Sequence, residues 1–233
     1  PASATAGSAF DVTVTAKDSF GNVAVGYTGT VHFTGGGSGA VLPSNYTFTG
    51  ADNGVHTFTN GATLTQAGNR TITATDTVTG SITGTSSAIA VSASGATTLT
   101  VTAPASATAG TAFSTTVTAL DVYGNTATGY TGTVHFTGGG TGATLPSNYT
   151  FVGGDNGTHT FTNGVTLTQA GTRTVTATDT VTGSITGTSS TISVAAAGAS
   201  TLSVTAPASA TAGTAFSVIV TALDAYGNTA TGY

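Results

Sequence analysis

The stretch DVYGNTATGYTGTVHFT, Asp121–Thr137, decides how the chain is read. Asp followed by Gly-Asn is turn chemistry: the carboxylate accepts backbone N–H groups, and Gly and Asn tolerate positive φ. Beyond the turn, Thr133–Thr137 alternates Val and Phe with Thr and His, the period of two that marks a strand with one face buried. The stretch recurs as DSFGNVAVGYTGTVHFT at Asp18–Thr34 and as DAYGNTATGY at Asp224–Tyr233, at a constant spacing of 103 residues. Residues Pro1–Ala103 and Pro104–Ala206 align without a gap and agree at 81 of 103 positions. A repeat of that length is the size of a small sandwich domain, so the chain reads as two modules and a fragment. The expected domains are residues 1–94 (without its first strand), 95–198 (complete) and 199–233 (the first two strands of a third copy).

Working outward from the turn, each repeat shows strands and no helical period. Phe10, Val12, Val14 and Ala16 lie on one face, matched by Phe113, Val117 and Ala119, then by Phe216, Val218, Val220 and Ala222. The segment Leu99–Ala103, repeated at Leu202–Ala206, reads as a first strand, and PASATAG after it as a turn-rich connector. The glycine runs Gly35–Gly39 and Gly138–Gly142 read as mobile loops. His159–Gln169 reads as one long strand bent near Gly164. Arg173–Asp179 reads as a further strand, and Ile192–Ala196 closes the last. Seven strands with turns at this spacing predict an all-β immunoglobulin-like sandwich. The short small-residue linkers predict a stiff string of beads set end to end.

Composition narrows the function. Charged residues are 5% of the chain, against roughly 25% in ordinary domains. Lys17, Arg70 and Arg173 are the only basic side chains, too few to neutralise a phosphate backbone or an anionic membrane. With 38% hydrophobic residues and a net charge of only −5 the chain does not have a disordered composition. Thr supplies 57 of 233 residues and suits a half-buried pleated surface. The absence of Cys excludes disulfides and thiolate metal sites. No apolar run is long enough to span a membrane, and an export signal or anchor is expected in a longer parent protein.

The order of motifs resembles bacterial immunoglobulin-like repeats related to filamin repeats. The matching segments are Ala109–Phe113, Val117–Asn125, Gly132–Phe136, Asp155–Thr162, Ala170–Ala177 and Ile185–Val194. Where filamin-type repeats carry Tyr after the Asp-Asn-Gly turn, this chain has His56 and His159. The resemblance implies an exported stalk or fibre of tandem modules, at a bacterial cell surface, with no catalytic residue.

The residues themselves are sparing with chemistry. His32 and His135 alternate with core positions and read as surface fillers. His56 and His159 share the face of Phe58 and Phe161 and read as half-buried core residues, with no evident sequence partner. Asp18, Asp121, Asp155 and Asp179 are weak Ca²⁺ candidates, since such a site needs six to eight oxygens; their ordinary role is turn capping. Gln66 and Gln169 leave a Thr–Gln ester formally open. The outward ladder Thr174, Thr176, Thr178 invites an ice-binding reading that strand twist disfavours. No enzyme is expected, and no cofactor. The function read here is a structural spacer in an exported bacterial fibre or adhesin stalk, partnered by neighbouring modules of the same or identical chains. The alternative is a module that binds glycan or protein through Gly35–Gly39 and Gly138–Gly142. The ragged ends leave two arrangements: completion by a longer chain, or strand addition between neighbouring chains.

Overall fold

The computed structural model describes residues Pro1–Tyr233. They form two compact units, one of Pro1–Gly95 with Asp121–Ala127, the other of Ala96–Leu120 with Thr128–Tyr233.

In the first unit the strands are β1 (Ser3–Thr5), β2 (Ala9–Thr15), β3 (Thr30–Gly35), β4 (Tyr46–Thr47), β5 (Val55–Thr63), β6 (Gly68–Arg70), β7 (Ile72–Asp76), β8 (Thr83–Thr85) and β9 (Ile89–Ser92). They pair as β1-β9-β6, β4-β3-β7-β8 and β2-β5. Alternation places Val31 and Phe33 of β3 inward and His32 outward. With Phe48, Leu64, Ile72, Ile89 and Val91 they build the core that the three sheets share, the arrangement of an all-β immunoglobulin-like sandwich.

The second unit repeats this plan with β10 (Thr98–Thr102), β11 (Ser106–Thr108), β12 (Ala112–Leu120), β13 (Thr133–Gly138), β14 (Tyr149–Thr150), β15 (Thr158–Thr166), β16 (Gly171–Arg173), β17 (Val175–Asp179), β18 (Thr186–Thr188) and β19 (Ile192–Ala195). Here the sheet of β12 and β15 gains a third strand, in the order β10-β12-β15. Leu99 and Val101 of β10 point into the core and are buried. Two further strands, β20 (Thr201–Thr205) and β21 (Ile219–Leu223), pair antiparallel as a separate ribbon. Phe216 and Val218 lie outside β21, which starts later than the alternation predicts.

Three sequence expectations change in detail. The PASATAG connector holds a strand in each full repeat: β1 and β11 pair parallel with β9 and β19. Arg173–Asp179 is two strands, β16 and β17, which belong to different sheets. The closing stretch divides likewise into β18 and β19. Both breaks meet at one corner, where the Val175 amide donates to Ser189 Oγ at 3.1 Å and the Ser189 amide to the Val175 carbonyl at 2.9 Å. Strands that change sheets at such a corner need their freed backbone groups paired, and Ser189 supplies the pairing. The complete repeat therefore has ten strands where seven are predicted.

The glycine loops are tied down rather than loose. The Gly36 amide donates to Thr71 O, the Ser38 amide to Gln66 Oε1, and Thr65 Oγ1 to Ser38 O. The long strand β15 is continuous, with its irregularity opposite Ser114. There Asn163 takes φ 50° and its amide donates to Ser114 Oγ; in the first unit Asn60, at φ 49°, donates to Asp11 Oδ1. Different side chains serve one geometric need.

On the surface, Thr hydroxyls pair across strands. Thr73 meets Thr85 and Thr75 meets Thr83, both at 2.8 Å; Thr176–Thr188 and Thr178–Thr186 repeat the pattern. Such cross-strand pairs stabilise a sheet and here stand where ion pairs are scarce. No helix of the structure is long and apolar enough to cross a membrane.

Candidate functional site

The most elaborately hydrogen-bonded feature is the Asp-x-x-Gly-Asn turn and the seat that receives it. Within the turn, the amides of Tyr123 and Asn125 both donate to Asp121 Oδ1 at 2.9 Å, and Asn125 Nδ2 donates to Oδ2. The side chain of Asp thus mimics a further residue of backbone, closing the loop locally.

In the first unit this turn sits against Pro1–Gly95. The Ala67 amide donates to Asn125 Oδ1 at 2.8 Å, and Asn125 Nδ2 donates to Thr65 O at 2.8 Å. The Ser94 amide donates to Asp121 Oδ2 at 3.0 Å. Tyr123 lies so close over Gly7 that a Cβ there would collide with its ring. Asp121 is left only 3% exposed. Burial opposes its ionisation, yet the bonds from Asn125, Ser94 and Tyr123 hold its carboxyl below the usual range.

The second unit builds the same seat from the next copies. Ala170 N donates to Asn228 Oδ1 and Asn228 Nδ2 to Thr168 O, both at 2.8 Å; Ala197 N donates to Asp224 Oδ2 at 2.9 Å. Tyr226 covers Gly110 as Tyr123 covers Gly7. Burial again works against the Asp224 charge, but the Asn228 side chain and the amides around it bring its pKa down to about 2. The seat is made by the Gln-Ala-Gly turn after β5 or β15. Arg70 and Arg173 brace that turn from behind, Arg70 Nη2 donating to Ala67 O and Arg173 Nη2 to Ala170 O. Two of the three basic residues of the chain are therefore spent on this seat.

The Ca²⁺ candidates are dispersed. Asp18 and Asp121 cap their own turns. Asp179 accepts the amides of Val181 and Thr182 and the hydroxyl of Tyr130. No three metal-ligating side chains converge. Gln66 and Gln169 direct Oε1 to the glycine loops.

Asp155 heads a cluster the sequence reading missed. It caps the Val152 amide, accepts Tyr149 Oη, and lies 2.9 Å from His159 Nδ1. The Tyr149 and His159 rings stack at 3.8 Å. Asp52, Tyr46 and His56 repeat it. The Val152 amide chiefly, then His159 and Tyr149, keeps Asp155 ionised to lower pH than an ordinary carboxyl, against its partial burial. His56 and His159 thus have partners four residues away, across the Asp-Asn-Gly turn. With its oxygens filled by donors, each Asp acts as the hub of a turn. Every buried side-chain nitrogen and oxygen in the protein is hydrogen-bonded.

No protein-family model matches the chain, and no curated protein matches it by sequence. Among solved structures it is similar to FdeC, an Escherichia coli adhesin, at 22% identity and a TM-score of 0.49, covering all of this chain and 74% of that one. It is similar also to Yersinia pseudotuberculosis InvD, at 19% identity and TM-score 0.39, covering 97% of this chain and 69% of that one. Invasin, a bacterial integrin-binding protein, matches at 20% identity and TM-score 0.36, over 99% of this chain and 46% of its own.

Proposed function

We propose that this segment is a non-catalytic structural repeat of an exported bacterial surface fibre or adhesin stalk, acting as a spacer. The observation that carries the reading is the seat built twice, bond for bond, for the Asp-x-x-Gly-Asn turn of the following repeat. A repeat that carries both a turn and a seat can be added indefinitely, each copy receiving the next. The titratable groups support the same reading. They serve as acceptors for turns instead of converging on a substrate, and the glycine loops spend their polar groups on their own module.

A glycan and receptor array probed with the 233-residue protein tests the proposal. The expected result is no reproducible binding. Binding that disappears when Gly35–Gly39 and Gly138–Gly142 are replaced would overturn the spacer role in favour of an adhesive one.

A further inference from the structure

Four residues other than glycine take positive φ, namely Asn53, Asn60, Asn156 and Asn163, and each is followed directly by glycine. Asn is among the few residues with a Cβ that enter the left-handed region readily, because its short amide can bond locally. In β5 and β15 the next position is glycine for a steric reason: a Cβ on Gly61 would strike Phe58, and one on Gly164 would strike Phe161. The backbone of this bulge thus selects a dipeptide that is also chemically labile. Asn is a thermolabile side chain, and a glycine after it leaves the next amide nitrogen unshielded by any Cβ.

The four pairs are held with different firmness. Asn53 Nδ2 donates to Ala51 O at 3.1 Å and Asn156 Nδ2 to Gly154 O at 3.2 Å. The glycines that follow them are buried, and their carbonyls accept the Ala16 and Ala119 amides at 2.8 Å. Asn60 and Asn163 are exposed and lack that side-chain tie. Their backbone amides anchor the bulge, and here the repeats part: Asn60 donates to the Asp11 carboxylate at 2.7 Å, Asn163 to the Ser114 hydroxyl at 3.0 Å. The bond to the charged acceptor is the stronger of the two.

We propose that Asn163-Gly164 is a self-modification site whose only co-reactant is water, and that Asn60-Gly61 is a slower second one. The Gly164 nitrogen attacks Asn163 Cγ and forms a five-membered imide. The Cγ–Nδ2 bond breaks, and Nδ2 leaves as ammonia with the Gly164 amide proton, passed through solvent. Water then opens the ring at either carbonyl, giving aspartate or isoaspartate. Nothing is oxidised or reduced, and one carboxylate appears per event. Ring closure requires Asn163 to rotate out of its left-handed conformation, so the rate follows local opening of the bulge. Ser114 releases the bulge more often than Asp11 does, and it sets no negative charge beside the amide that must lose its proton. Asn53 and Asn156 have more bonds to break first. Where isoaspartate forms, the chain runs through the former side chain and gains one methylene in β15, opposite β12.

Incubating the folded 233-residue protein in warm, mildly alkaline buffer tests this, with isoaspartyl methyltransferase labelling and peptide mapping by mass spectrometry as the readout. Label is expected first at position 163, roughly fivefold more slowly at 60, and last at 53 and 156. In denaturant all four sites should react at similar rates. Ser114→Asp should slow position 163 to the rate of 60, and Asp11→Ser should raise 60 to the rate of 163, with melting profiles showing both variants folded during incubation. Conversion at Asn53 or Asn156 as fast as at Asn163 overturns the proposal. So does an unlabelled position 163 in the folded protein when the denatured one is labelled. Rates unmoved by the two exchanges overturn the part given to Ser114 and Asp11.

Discussion

The turn at Asp18 and the turn at Asp121 have nearly the same sequence and the same internal bonds, yet opposite surroundings. At Asp18 the amides of Phe20 and Asn22 donate to Oδ1 at 2.9 Å, and Asn22 Nδ2 to Oδ2 at 3.1 Å. At Asp121 the same three bonds are joined by those to Ser94, Ala67 and Thr65. Phe20 is 89% exposed, whereas Tyr123 packs over Gly7. The turn therefore closes on its own local chemistry and arrives at its seat already shaped. Docking then costs little ordering entropy, and each bond made there counts almost in full.

The largest expected effect is at the docked asparagines. Asn125→Ala removes both partners of the seat and leaves the Ala67 amide unpaired, a loss of about 1–3 kcal/mol for a buried polar group. Asn228→Ala should do the same at Ala170. Denaturant unfolding measures the loss, and amide exchange should speed up at Ala67 or Ala170 specifically. Unchanged exchange there would erase the distinction between docked and free turns.

Gly21 and Gly124 have φ of 85° and 81° and no neighbour within reach of an added Cβ. Replacing either by Ala imposes a left-handed backbone on a residue with a Cβ, costing roughly 1–2 kcal/mol. Equal losses of stability are expected if the free turn is as firmly closed as the docked one. A smaller loss for Gly21→Ala would show that the turn at Asp18 frays.

The carboxylates set the acid limit. Asp18 is depressed by its bonds from Asn22, and Asp121 and Asp224 by theirs in spite of burial, Asp224 to about 2. A depressed folded-state pKa contributes stability that is complete above the unfolded value of 3.8 and is lost as pH falls through the folded one. Thermal melts should thus be level from about pH 5 to 9 and decline below about pH 4. Carboxyl titration by NMR should leave Asp224 charged nearly to pH 2. At the alkaline end burial chiefly, with Asp76 and Asp179, raises the Tyr27 and Tyr130 hydroxyls. The folded state then holds protons the unfolded chain releases above pH 10.0, and stability should fall there too.

The smallest effect is expected at Asn22→Ala. It removes one exposed bond inside a free turn, and the change should stay within about 0.5 kcal/mol. A loss as large as that of Asn125→Ala would mean that seating adds nothing to the asparagine. Added salt should likewise leave the melting temperature nearly unchanged, because so few charges are available to screen.

Much of this was legible in the residues. Alternation in Phe10–Ala16 and Thr30–Thr34 places the core faces, and Asp-x-x-Gly-Asn closes its turn through bonds spanning four residues at most. Repetition of the pattern makes the chain a tandem of β-sandwich units. These are local properties, set by backbone sterics, side-chain period and short-range hydrogen bonds. Other features depended on partners far away in the chain. Ser106–Thr108 becomes a strand only because the edge of β19 is free to receive it in parallel, and Arg173–Asp179 divides because Ser189 pairs the backbone where the chain changes sheets. Asn125 carries no sign of its seat that Asn22 lacks, since the Thr65 carbonyl and Ala67 amide lie beyond any local window. The burial of Asp121 comes from which surfaces meet, and only the tertiary packing brings those surfaces together.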